Sequence, residues 1–352
     1  MGDTWHRAVE MPVHQCAILR ANGYFLNMLV FVIRRLLQSG LVLWAVSMVV
    51  FLGIYAIGNP VDILLPDDSN GAERDAAMRA LGLDQPLWTQ YGLFVWKALH
   101  GDLGFSFVYN IASIDLIFSR MPATLELAFC ALLIAVALGI PLGLWAGLKP
   151  ASRVDNWIVT GSILGFSLPG FWQGLMLIMI FSVSLGWLPS NGRGELGTVF
   201  GIQTSLATWD GIRHLLLPAL NLSLFKLSLI IRLTRAGVRE TMPLDFIKFA
   251  RAKGLSGQRI VGVHVLKNIL VPIITVVGME LGSVIAFATV TETIFAWPGM
   301  GKLIIDSINK LDRPVVVAYL MVVTLMFIVI NLVVDLFQAA LDPRVRIKGL
   351  SK

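Results

Sequence analysis

The sequence predicts an all-α polytopic membrane protein with six transmembrane helices, both termini cytoplasmic and a large periplasmic segment between helices 1 and 2. Two observations lead there. The 352 residues are 56% hydrophobic and only 14% charged, against about 25% charged for a soluble domain. The mean hydropathy is +0.77, so most of the surface faces something other than water. The apolar residues are also gathered into runs of about 20, the length needed to cross a bilayer with every backbone group bonded inside a helix.

The runs come in order at roughly Leu36–Ile57, Leu125–Leu148, Trp157–Leu185, Leu215–Leu233, Leu270–Phe295 and Val315–Ala339. The third is long enough to contain a bend at Ser167-Leu168-Pro169-Gly170. Lys and Arg set the orientation. With the N-terminus inside, the inner segments hold about twice as many basic residues as the outer ones. Residues 1–34 form a cytoplasmic segment, of which 1–27 read as a disordered tail or an over-called start before Met28. Residues 35–57 are the first span, and 58–121 are periplasmic. Residues 122–340 are the membrane core, with a cytoplasmic loop at 234–269, and 341–352 a cytoplasmic tail. A cleaved signal peptide would require a small-residue cleavage site after the first run, and none is visible.

The outer segment is acidic, with Asp62, Asp67, Asp68, Glu73 and Asp75 among its charges. It predicts a short helix within Gly71–Leu83. An amphipathic helix follows, carrying Trp88, Tyr91, Phe94, Val95 and Leu99. Trp and Tyr there suit the membrane–water interface. A collar resting on lipid and a dock for an external protein both explain it.

No enzyme constellation is visible. "PGMGKL" fails the phosphate-loop pattern, since Ala296 stands at the first Gly and Leu303 at the Ser/Thr. Pro298 and Gly299 instead read as a turn ending the fifth span. The five histidines lack ligand spacing, so no metal site is expected, and the net charge of +6 fits basic loops beside anionic lipid. No nucleic-acid partner is expected.

Ionisable residues inside spans are costly and mark either a pathway or an internal pair. Lys226 and Glu280 lie at similar depths in the fourth and fifth spans, counting about 1.5 Å per residue. One reading makes them a structural ion pair, and the other places them on a translocation path. The small residues of "VGMELGSVIAFA" (277–288) would let helices approach closely.

The loop at 234–269 is the basic exception in an apolar chain: "DFIKFARAKGLSGQRIVGVHVLKN" holds Lys248, Arg251, Lys253, Arg259 and Lys267. It reads as two short helices. Phe246, Ile247, Phe249, Ala250 and Leu255 form an apolar side, Gly254 allows a turn or a close approach, and Pro272 begins the fifth span. Composition alone permits an interfacial helix held by lipid.

The order of residues says more. Ala250-Arg251-Ala252-Lys253-Gly254-Leu255, followed by His264, Asn268 and Pro272, resembles the cytoplasmic signature loop of ABC-importer permeases of the dipeptide/oligopeptide/nickel branch. "GLDQPLWTQY", "GDLGFS", "PATLELA", "FSLPGFW", "GWLPSNGRG", "TETIFAWPGMGKLI" and "NLVVDLFQAALDPRVR" extend the likeness over most of the chain. Lys248-Phe249-Ala250 stands where the wider family has Glu-Ala-Ala, and the Gly-to-Pro interval is longer than in the general pattern. Both departures are typical of the peptide branch.

The resemblance implies a type I ABC-importer permease fold in the bacterial inner membrane. It implies half of a pore for di- or oligopeptides, with nickel chelates, glutathione or sugar conjugates as alternative cargo. It implies a second homologous permease, two ABC ATPase subunits that bind ATP and Mg, and a periplasmic solute-binding protein. This chain would hold no cofactor and perform no hydrolysis. Phe246, Ala250, Arg251, Lys253, Gly254 and Leu255 would form the docking core of a coupling helix. A self-contained secondary transporter would instead call for an internal repeat, which is not visible.

Overall fold

The computed structural model describes residues 33–53, 70–80, 84–199 and 201–341. The expectations for residues 1–27, for Asp62, Asp67 and Asp68, and for the tail at 342–352 lie outside them. Eleven helices are described: α1 (Ile33–Gly53), α2 (Gly71–Ala80), α3 (Leu87–Leu99), α4 (Ser113–Leu148), α5 (Arg153–Ser167), α6 (Gly170–Leu177), α7 (Trp209–Thr241), α8 (Asp245–Ala252), α9 (Gly257–Ile294), α10 (Met300–Asn309) and α11 (Arg313–Leu341). A π-helical turn, Ile178–Ser184, continues α6, and another, Ile260–Val265, lies inside α9. Helices α1, α4, α7, α9 and α11 are long and apolar enough to cross a membrane.

Pro169 marks the break between α5 and α6, whose axes differ by 108°. The expected bend is therefore a sharp corner. Pro169 lacks the N–H that would continue the helix and restricts Leu168 to an extended conformation. Gln173 then donates to the orphaned carbonyls of Gly165 and Leu168 at 2.8 and 2.9 Å.

Several helices extend beyond the apolar runs. Helix α4 starts at Ser113, twelve residues before Leu125, because Leu116 and Ile117 pack on Met300, Leu303, Ile304 and Val315 of α10 and α11. Helix α7 is longer than its run at both ends, starting at Trp209 and ending at Thr241. Pro272 does not begin the fifth span: α9 passes through it and starts at Gly257, so the second short helix expected in the loop is fused to the span. Pro122, Pro141 and Pro218 likewise sit inside helices. The all-α expectation also meets a small hairpin, β1 (Gly197–Val199) with β2 (Ile202–Thr204), antiparallel with Gly197 opposite Thr204.

The core is where α4 crosses α7. A Cβ on Gly139 would lie 2.8 Å from Ile230, one on Gly143 2.5 Å from Thr234, and one on Gly147 2.7 Å from Val238. This is small-residue packing every fourth position, which lets two backbones touch. The contacts advance in the same direction along both helices, so α4 and α7 run parallel. The segment between them, with the α5–α6 corner, returns the chain to its starting end. Helix α9 runs antiparallel to α7, joined by Asn221 donating to Thr291 at 3.1 Å. Gly278 and Gly282 of the expected small-residue stretch face Val334 and Phe327 of α11. Helix α3 leans on α1, where the Tyr91 hydroxyl and Ser47 hydroxyl are 2.8 Å apart and the Phe51 and Tyr91 rings meet edge to face at 5.3 Å.

Candidate functional site

Two places hold the docking residues and the intramembrane charges singled out by sequence: the α8 end of the bundle and the middle of α7 and α9. Helix α8 is clamped on one side only. Ile247 (0% exposed) and Ala250 (5%) pack on Val238, Ile260, Val265 and Ile269. Phe246 (41%) and Phe249 (62%) face outward. Lys253 lies with its ammonium 4.6 Å from the Phe249 ring centroid, so cation and ring form one exposed patch. Arg251 is exposed too, and Leu255 is half-buried against the clamped side.

The six proposed docking residues therefore divide. Phe246, Arg251, Lys253 and Gly254 are presented outward, whereas Ala250 and Leu255 secure the helix to its own chain. Phe249, left out of the set, belongs to the exposed patch. Gly254 ends α8 with φ +79°, the left-handed conformation that a side chain makes costly. Its N–H reaches the Arg251 carbonyl at 2.9 Å, and the Leu255 N–H reaches the Ala250 carbonyl at 3.2 Å. A Cβ at Gly254 would meet no atom of the described residues within 4 Å. The glycine serves a turn, not a close approach within the subunit.

The α8 end is tied to α5 by Arg235, which donates to both carboxylate oxygens of Asp155 at 2.6 and 2.8 Å. The Ala151 N–H adds a third bond at 3.0 Å.

In mid-bundle, Lys226 and Glu280 are joined in an ion pair. The ammonium also donates to Ser283 at 2.7 Å, and Ser283 donates to Glu280 at 2.6 Å. The lysine side chain is 5% exposed and the glutamate 25%. The rings of Phe225 and Phe287 flank the ammonium at 5.0 and 5.7 Å.

Pro298 and Gly299 lie in the turn between α9 and α10, and the group that shapes this turn is Glu292, fully buried. Its carboxylate accepts from Thr124 Oγ1 at 2.6 Å and from the Lys302 N–H at 2.9 Å. The Met300 N–H donates to the same threonine at 2.8 Å, and the Trp297 indole to the Ala123 carbonyl at 2.9 Å. Sequence reasoning missed Glu292 because it sits beside a span end, where a carboxylate needs no special account. The signal available was the closely spaced Gly299 and Gly301 just after it, at both of which a Cβ would strike the Glu292 carboxylate. Glu126 has a similar role at the hairpin: Arg193, Thr204 and the Ser205 N–H converge on it, the last two at 2.7 Å.

Residues 139–347 match the family "Binding-protein-dependent transport system inner membrane component", and residues 28–128 match the N-terminal region of such a component. The chain belongs to this family. It is 39% identical over 341 residues to the dipeptide transport system permease protein DppB of Escherichia coli K12, covering 91% of this chain and 100% of that protein. To the oligopeptide transport system permease protein AppB of Bacillus subtilis it is 35% identical over 320 residues, covering 90% and 99%. A chain of the inward-facing MetNI methionine ABC transporter superposes with a TM-score of 0.51 at 16% identity, covering 64% of this chain and 96% of that one. That likeness shows the fold.

As an inner membrane component of binding-protein-dependent transport, the chain is a multi-pass protein of the bacterial inner membrane and an ABC transporter permease. Its relatives are permease subunits of transport systems. The family matches span both the region before α4 and the bundle containing α8 and the Lys226–Glu280 pair.

Proposed function

We propose that this chain is the transmembrane permease subunit of an ATP-driven importer and forms half of the translocation pore for di- or oligopeptides delivered by a periplasmic binding protein. The carrying observation is α8: a helix clamped by Ile247 and Ala250 that presents Phe246, Phe249, Arg251 and Lys253 with nothing among the described residues to cover them. A soluble partner with a cleft for a short helix would bury that patch. Full-length similarity to dipeptide and oligopeptide permeases supports the cargo class.

In this reading α8 is the coupling helix, and the end of the bundle carrying Arg235, Arg239, Arg251 and Lys253 is cytoplasmic. The termini share that side, and the chain crosses six times, α5 and α6 making one broken crossing. Two ATPase subunits bind ATP and Mg, a second homologous permease completes the pore, and this chain itself holds no cofactor. Closure of the ATPases moves α8. Because Ile247 and Ala250 weld α8 to the ends of α7 and α9, the movement passes to the helices bearing Lys226 and Glu280. The bent α5–α6 segment and the turn at Pro298-Gly299 shape the outer part of the path.

Proteoliposomes holding this chain with the neighbouring permease and ATPases test the reading. With the binding protein outside, labelled dipeptide should accumulate only when ATP is present within. Uptake by this chain alone, driven by an ion gradient, would make it a secondary transporter instead.

A further inference from the structure

Glu280 is unequally used. Its Oε2 accepts from Lys226 and from Ser283, while Oε1 has no hydrogen-bond partner among the described residues. Oε1 is not among the buried unpaired atoms either, so it is open. A carboxylate oxygen at mid-bundle with a free lone pair is expensive unless a donor reaches it.

The surroundings decide which donor fits. Lys226 is enclosed, with its ammonium engaged by Glu280 and Ser283 and flanked by two rings. Glu280, Ser283 and Phe287 share one face of α9 at i, i+3 and i+7 spacing. Phe287 (66% exposed) and Phe225 (45%) stand open beside them. A group arriving from that side meets a carboxylate oxygen and aromatic faces before it meets the lysine. Carboxylate plus aromatic is a surface for a primary ammonium and repels a carboxylate.

We propose that Glu280 receives the N-terminal ammonium of the peptide in transit, with Phe287 and Phe225 as its aromatic walls and Lys226 as the buried cation that positions it. This rests on the peptide-importer reading and deepens it. A zwitterionic peptide brings no net charge to the site, and its ammonium supplies the donor that Oε1 lacks.

The test is uptake by the reconstituted importer of a tripeptide and its N-acetyl form, each at a concentration that saturates the binding protein. The wild type should carry the free-ammonium form about tenfold faster, as one charged hydrogen bond implies. Glu280→Gln should bring the two rates within about twofold of each other, the cost of a neutral contact alone. Phe287→Leu, at an exposed position, should lower the ratio part-way, and it decides the matter should Glu280→Gln fail to assemble. Equal rates in the wild type overturn the proposal, as does a ratio unchanged in the variants. No ATP-dependent uptake of either peptide would instead overturn the importer reading beneath it.

Discussion

Thr124 and Glu292 meet in the fully buried heart of the α9–α10 turn, the threonine hydroxyl donating to the carboxylate at 2.6 Å while accepting from the Met300 N–H at 2.8 Å. Both glutamate oxygens accept, so an amide in its place would set an N–H against a donor. Glu292→Gln should therefore destabilise the folded subunit by about 2 kcal/mol. Thr124→Val should cost a comparable amount by orphaning the Met300 N–H. Thermal unfolding of the purified complex in detergent measures both. A Glu292→Gln complex as stable as the wild type would show that the turn is held by other contacts.

The two sides of α8 should respond differently to truncation. Ile247 is fully buried, so Ile247→Ala should cost about 2–5 kcal/mol of stability. Phe249 is exposed, so Phe249→Ala should leave stability within about 0.5 kcal/mol. Peptide uptake should nevertheless fall severely in Phe249→Ala. Paired unfolding and uptake measurements separate the effects, and normal uptake by Phe249→Ala would remove the ring from the docking surface.

Asp155 and Arg235 should behave as a unit. The carboxylate side chain is 2% exposed and the guanidinium 26%, so deleting one charge strands the other. Asp155→Asn should cost about 3 kcal/mol, and an Asp155→Asn, Arg235→Met double variant should recover part of it. Stability of the wild type, Asp155→Asn, Arg235→Met and the double variant measures the coupling. Additive losses would mean the pair is incidental.

The α4–α7 contact has no room for a side chain at Gly143, where a Cβ would stand 2.5 Å from Thr234 Cβ and 2.7 Å from the Ile231 carbonyl oxygen. Gly143→Leu should prevent the two helices from packing and abolish recovery of the intact complex, well beyond the 1–3 kcal/mol or so usual for overpacking. The same change at Gly161, where a Cβ meets nothing, should be tolerated. Membrane yield of each variant is the readout.

The span centres were legible because lipid forces long apolar runs on a helix. Their ends were not. Leu116 and Ile117 extend α4 through contacts with α10, and helix α9 continues past Pro272 although that residue has no N–H to donate, neither of which leaves a hydropathy signature. In α8 the sequence shows Phe246, Ile247, Phe249 and Ala250 as one apolar group. Only packing reveals that Ile and Ala face inward and the two Phe outward. Lys226 and Glu280 could be placed at equal depth by counting residues, but the open oxygen of Glu280 follows from side-chain geometry. Gly139, Gly143 and Gly147 were hidden inside an apolar run where small residues change hydropathy little.

Gly254 offers the most direct test of the central claim that α8 couples this subunit to an ATPase. Its φ of +79° strains most side chains, but asparagine tolerates that conformation. Nothing among the described residues lies within 4 Å of a Cβ there, so on this reading a large residue obstructs the partner. Binding-protein-dependent, peptide-stimulated ATP hydrolysis should be measured in liposomes for the wild type, Gly254→Asn and Gly254→Trp. The account predicts stimulation largely kept by Asn and abolished by Trp, with the Trp subunit still in the membrane. Full stimulation in Gly254→Trp would contradict it.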